Sequence, residues 1–507
     1  MKHSRIIFTW ILLFAMFCGM LPSAKSEAAK KIRISNRKLT MTVGDSEFID
    51  VYNYKKKVKW STSKKKVVAI KARGKNYCTI KARKKGKATI TAKAGKKKLK
   101  CKVTVKKRKS YTGWTYTGTS STTTKKTPKP TATLTSTPPT WTNPPTGGGS
   151  PEKNADDVAA LKELIAEQRA LGATVSEDTS NYTEYGWNEE GRLVAIGWYD
   201  KNLTGNLSFS AFTALEYLDC SYNQVSSLDV SQNTALERLE CFSNLLDSLD
   251  VSRNMALYYL RCSNNPIGNL DTSHNTVLED LECGMNRLSS LDVSQNPLLR
   301  YLDCSDNQLN KLEINNNTAL QVLDCSENQL SSLGLSYNTD LGTLACVNNQ
   351  LGNLDLSHNT ALISLACYGN QLRSLDLSHN IALEDVGCFA NQLSSLELGN
   401  NTALETLECG ENLLSSLDLS RNTGLKYLNC WGNQLISLNL NNIKNLETLY
   451  CSDNQLNSLN LSHNISLAWL RCDNNQLSSL DLSQNSVLEY LCCDSNVTVI
   501  GYNGYRE

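Results

Sequence analysis

The chain has 507 residues, too many for one compact core, and its 53 Lys and Arg against 49 Asp and Glu give a formal net charge of +4. That near-balance conceals two opposed blocks: residues 1–155 hold 37 basic and 5 acidic side chains and residues 156–507 hold 16 and 44, about +32 and −28. A single compact domain is excluded, and two parts with different partners are implied, the basic one suited to anionic polymer or membrane surface.

Lys2 and Arg5 precede an apolar run from Ile6 to Met20, followed by the small residues Ser23, Ala24, Ser26 and Ala28 around Pro22. This pattern, over residues 1–28, is that of a secretory signal peptide. An uncleaved anchor is the alternative, but the run falls short of the ~20 residues that span a bilayer. Cys18 follows Phe17 rather than a small residue, which argues against a lipoprotein cysteine. No later segment is apolar enough to cross a membrane, so the mature chain is expected to be secreted or associated with the cell surface.

Residues 31–107 show short runs of Val, Ile and Thr broken by Gly and Lys, the pattern of a small all-β sandwich. Leu39, Val43 and Gly44, then Trp60-Ser61-Thr62-Ser63, Val68 and Ile70, Gly86 before Ala88-Thr89-Ile90-Thr91-Ala92, and Val103 and Val105 follow in order. On these motifs the segment resembles a bacterial immunoglobulin-like domain of group 2. The resemblance implies a spacer or adhesive module and no chemistry. Cys78 and Cys101 form a disulfide if their strands are adjacent, and otherwise are two separate buried side chains.

Lysines cluster in the expected turns: Lys55, Lys56 and Lys57, Lys64, Lys65 and Lys66, Lys84 and Lys85, and Lys96, Lys97 and Lys98. A solvated surface is the bland reading of such runs. Between Lys30 and Lys109, however, 30 basic residues face three acids, an excess that attracts polyanions without a shaped site. Phosphate-bearing wall polymers, anionic lipid heads and acidic glycans are the candidate partners, with no specific nucleic acid. Residues 108–155 are dominated by Thr, Pro, Ser and Gly, a composition that cannot bury a core and reads as a disordered linker.

Val158, Leu161, Ile165 and Leu171 fall on one face of a helix ending at Gly172, and with Trp187, Gly191, Leu193, Ile196 and Trp198 they mark residues 156–214 as a helical N-terminal cap. From Leu215 the sequence repeats every 21 residues to 507. Leu215-x-x-Leu218-x-Cys220-x-x-Asn223 recurs fourteen times, to Leu488, with cysteine and asparagine in every copy. A second motif, Val225-x-x-Leu228-Asp229-Val230-Ser231-x-Asn233, follows ten residues on, so two short strands per coil are expected. Such coils cannot bury their apolar sides alone and form a solenoid by stacking. The array resembles internalin-like leucine-rich repeats of bacteria, which implies an exported protein that binds partners on its ladder face.

Period-two alternation points Leu218 and Cys220 inward and Tyr217, Asp219 and Ser221 outward. Parallel Cβ vectors in stacked coils rule against ladder disulfides, so the repeat cysteines are expected as buried reduced thiols that bind no metal. Cys492, on the outward position beside Cys493, is expected as an exposed thiol. The asparagines are expected to bond turn backbone along the stack. Asp229, Asp250, Asp271, Asp292, Asp355, Asp376, Asp418 and Asp481 form an acidic column, read as bonding its own turns rather than calcium. His274, His358, His379 and His463 read as solvated turn residues rather than a metal site. Nothing here has the spacing of a nucleophile elbow, a zinc-protease helix or a phosphate loop, so neither enzyme activity nor a cofactor is expected.

Trp431, Tyr450 and Trp469 step by 19 residues, each one coil on and two residues back, flanked by Tyr427 and Arg471. Aromatics with an Arg are the residue types that dominate interface energies, and they make this diagonal the candidate partner-binding site. The expected function is an adhesin-like protein that grips a protein partner with its ladder. A glycan-binding module is the alternative, because the same rings could stack sugars.

Overall fold

The computed structural model describes residues 33–34, 38–42, 46–52, 58–73, 77–95, 97–106, 152–502 and 504. The chain divides into two compact units, Met1–Pro138 and Pro139–Glu507. The signal-peptide segment, almost all of the linker, Lys55 to Lys57 and Lys96 lie outside the described residues.

In the first unit, β1 (Arg33–Ile34), β3 (Ser46–Tyr52), β6 (Tyr77–Ala82) and β5 (Val68–Arg73) form one four-stranded sheet. A second sheet orders β2 (Lys38–Thr42), β8 (Lys97–Lys106), β7 (Gly86–Ala94) and β4 (Lys59–Thr62). Trp60, Ile90, Ala92, Cys101 and Val103 from one sheet and Val68 and Ile80 from the other share a single apolar cluster. This is the alternating, one-face-in pattern that the Val, Ile and Thr runs require. Cys78 and Cys101 lie on strands of different sheets; the Cys101 thiol is free and buried, and burial pushes it up to about 11. The Cys78 side chain is outside the described residues.

The second unit opens with α1 (Ala155–Ala170). Asn154 Oδ1 accepts from the Asp157 N–H at 2.9 Å, and Asp156 and Asp157 complement the helix dipole in its first turn. Leu161, Leu164, Ile165 and Gln168 form its buried face. Leu171 departs from expectation: it is 57% exposed, because the helix ends at Ala170 and the turn to Gly172 (φ +99°) swings it into solvent. The cap is tied down by Asp157, which pairs with Arg192 at 2.8 Å and accepts from the Leu193 N–H at 2.9 Å.

Strand β9 (Tyr185–Trp187) pairs antiparallel with β10 (Leu193–Gly197), and β10 begins a parallel ladder. One three-residue strand per coil follows, from Tyr217–Asp219 to Tyr490–Cys492, completing a sheet of 16 strands. The register advances by the sequence repeat itself, Leu218 beside Leu239 at one end and Leu470 beside Leu491 at the other. Leucines and cysteines of successive coils fill one continuous core.

The second expected strand is absent from the interior coils. Among the described residues, strand pairs of this segment form only between Thr204–Ser208 and Gln224–Asp229 in the first coils and between Ser479–Asp481 and Thr498–Ile500 in the last, with a single isolated parallel bridge, Asp292 to Glu313, in the interior. Side-chain amides bond the start of this segment in coils with and without a strand there, as Asn244 Oδ1 does for the Val225 N–H within Gln224–Asp229. In the interior coils the N–H of Leu309 is taken by Asn328 Oδ1 at 2.9 Å and that of Leu330 by Asn349 Oδ1 at 2.9 Å. The same asparagines donate through Nδ2 to the cysteine carbonyls of their own and the preceding coil, as Asn349 does to Cys346 and Cys325. A second asparagine column, Asn233 to Asn485, donates to backbone carbonyls one coil back, as Asn359 does to Leu335 and Asn338.

Candidate binding face

Outward side chains of the ladder strands make three columns, and the crowding between them sets their chemistry. Strands ~4.8 Å apart leave little room for water between large side chains. Tyr217, Tyr259 and Tyr301, though outward, are therefore 5%, 5% and 7% exposed. Among them lie Asp219 and Asp280, whose carboxyls burial pushes up to about 6 and about 7. Two guanidiniums answer these acids. Arg261 ion-pairs with Glu282 and lies 3.8 Å from Glu240, and Arg238 sits 3.9 Å over the Tyr259 ring.

The middle of the face is uncharged and small. Ala345, Val347 and Ala366 pack with Tyr368, which stacks on Phe389 at 4.5 Å. Beyond it come Asp385 and Glu408, then the residues singled out from sequence. Tyr427 and Tyr450 meet edge-on at 5.9 Å, and Trp469 stacks on Tyr490 at 5.2 Å. Trp431 is half-buried and leans over Gly410, where an added Cβ would lie 2.6 Å from its ring. Trp469 is 44% exposed, and Arg471 beside it reaches Asp473 at 3.2 Å. All five expected residues thus share the C-terminal ladder face, with the rings paired by neighbouring strands rather than along the diagonal. Tyr490, Tyr368, Phe389, Asp385 and Glu408 escaped the sequence reading.

Cys492 corrects an expectation. It occupies an outward ladder position beside Arg471, yet is only 9% exposed, and its Sγ lies 3.4 Å from Asp473 Oδ1. The neighbouring long side chains cover it. Cysteines of the inward column from Cys220 to Cys451 are free and buried, and burial raises their thiols.

The acidic column is spent on its own turns. Asp229, Asp250, Asp271, Asp292, Asp355, Asp376, Asp418 and Asp481 each accept from the N–H of the serine two residues on, which lowers their carboxyls. His274, His358, His379 and His463 are exposed, each with Nδ1 bonded to the preceding serine. Among the described residues no group of three or more His, Cys, Asp or Glu is placed to hold a metal ion, and no helix is long and apolar enough to cross a membrane.

Lys64, Lys65, Lys66, Lys97 and Lys98 of the first unit are exposed, on its turns and at the start of β8.

No family model matches the sequence, and no curated protein does. Among solved structures, the functional domain of InlJ from Listeria monocytogenes, which includes a cysteine ladder, is 35% identical at a TM-score of 0.59, the match covering 61% of this chain and 68% of that one. A TDR receptor shares the fold at 20% identity and a TM-score of 0.55, over 60% of each chain. The internalin InlF from Listeria monocytogenes is 22% identical at a TM-score of 0.49, over 68% of this chain and 96% of that one.

Proposed function

This chain belongs to the internalin-type leucine-rich-repeat proteins that carry a cysteine ladder, and from that premise we propose that it is an exported surface protein whose ladder face grips a protein partner. The observation that carries the reading is the aromatic set at the C-terminal end of the ladder. Tyr427 with Tyr450 and Trp469 with Tyr490 stand on adjacent strands next to Arg471, and Trp469 is exposed. Rigid aromatics beside a guanidinium give large contact area at small entropic cost.

The first unit, in this reading, is an immunoglobulin-like module that holds the protein at the envelope through its lysines. The export signal of residues 1–28 supports the compartment, and the ladder does its work without catalysis or cofactor.

The full chain, incubated with its surrounding medium, should capture a protein, and replacing Trp431 and Trp469 together with Ala should weaken capture by about 2 kcal/mol or more, some thirtyfold. Undiminished capture by the double variant moves the site elsewhere. Trp469 stacked on Tyr490 is also a platform for a sugar ring, and binding that persists on purified, protein-free glycan would replace the protein reading with that one.

A further inference from the structure

The ladder face holds two arrangements built on the same offsets. In the first, Glu240 is followed 19 residues on by Tyr259, and the chain supplies the cations: Arg238 on Glu240's own strand and Arg261 on the next. Arg238 lies over the Tyr259 ring at 3.9 Å and 3.5 Å from Glu240. In the second, Glu408 is followed at the same offset by Tyr427, but Thr406 stands in the place of Arg238 and Asn429 in that of Arg261. Asp385, on the strand before, adds a second carboxylate.

Glu408 is 5% exposed, and its Oε2 has no hydrogen-bond partner. Asp385 is half-buried and bonds Thr406. Among the described residues no Lys or Arg pairs with either acid, and Lys426 on the Tyr427 side is held by Glu405 at 2.7 Å. Tyr368, Tyr427 and Tyr450 lie within reach of the Glu408 charge. A buried carboxylate with one oxygen left unbonded, among tyrosines, is the first arrangement with its guanidiniums removed. Such a carboxylate is costly to bury unpaired and is relieved by a planar cation that bonds it while stacking on a ring.

We propose that Asp385 and Glu408 receive an arginine side chain of the protein partner, stacked on Tyr427 as Arg238 stacks on Tyr259. The inference rests on the ladder face being the protein-binding surface, and it names the residue that face takes.

The probe is the peptide acetyl-Gly-Ala-Arg-Ala-Gly-amide, titrated into the full chain beside its citrulline counterpart, which keeps the shape and loses the charge. Saturable binding of the arginine peptide is expected, at least tenfold weaker for citrulline and for the isosteric Glu408→Gln variant. Thr406→Arg restores the chain's own guanidinium; it should block the peptide and raise the denaturation midpoint, and the rise should vanish in a Glu408→Gln background. No saturable binding, equal binding of the two peptides, or binding unchanged by Glu408→Gln would overturn the inference. The Trp431 and Trp469 variants read the ladder face separately: capture lost there with the peptide result negative removes the arginine seat and leaves the protein-binding face.

Discussion

The two asparagine columns look alike in the sequence and differ in what they hold. Asn349 in the first column uses both ends of its amide: Oδ1 accepts from the Leu330 N–H at 2.9 Å and Nδ2 donates to the Cys325 carbonyl at 3.0 Å. Asn359 in the second column uses one end, with Nδ2 donating to Leu335 and Asn338, while its Oδ1 is buried without a partner. Asn349→Ala therefore strands a buried donor as well as weakening carbonyls, whereas Asn359→Ala leaves only carbonyls short of one donor. A stranded buried N–H costs roughly 1–3 kcal/mol, and that is the expected excess of Asn349→Ala over Asn359→Ala. The chain contains its own precedent, since Ile443 occupies a second-column position and is fully buried, while no first-column copy lacks asparagine. Urea denaturation of the two variants, followed by far-ultraviolet circular dichroism, measures the difference. Asn349→Ala should also divide the melt, because stacked repeats are coupled mainly through nearest neighbours. Equal losses for the two variants would refute the reasoning, as it would show that the amide Oδ1 is not what closes each coil.

Burial and the neighbouring Asp385 push Glu408 up to about 7 from an ordinary 4.5. A carboxyl raised in the fold binds its proton more tightly there than in the unfolded chain, so its contribution is full below about 4.5 and is lost as pH rises through about 7. Glu408→Gln should accordingly be more stable than the wild type at pH 8, by an amount on the order of 3 kcal/mol, and no more stable at pH 4; a gap that does not change with pH sinks the assignment. Thiol reagent on the native protein should leave Cys492 and the column from Cys220 to Cys493 unlabelled until unfolding, and peptide mapping that finds Cys492 modified in the native state would show that its cover is incomplete. The protein bound to an anionic polymer through its first unit should be released by about 0.5 M salt, where screening shrinks to a few ångström; retention there would mean a shaped site rather than charge.

The scaffold was legible because its positions repeat: the spacing from Leu215 to Leu488 is the step the ladder takes, and inward Leu218 and Cys220 follow from alternation. Alternation gives direction and not accessibility. Tyr259 and Cys492 both point outward and are both covered, because strands this close let one long side chain roof its neighbour. The second strand could not be read in the same way: Asn328 and Asn349 bond this segment in coils without a strand there and Asn244 does so inside one, so the repeated motif does not distinguish the two. The aromatic set could be picked out because the array holds just two Trp, Trp431 and Trp469. Glu408 could not, since acids are abundant in residues 156–507 and a single Glu in a varying column carries no signal. Its meaning is relative: only when the coil of Glu240 and Tyr259 is laid on that of Glu408 and Tyr427 does the loss of Arg238 and Arg261 show. Specificity in a solenoid is written as departures from the repeat, spread over strands that the sequence separates by a full coil, and the register that brings them together is what gives Thr406 and Asn429 their significance.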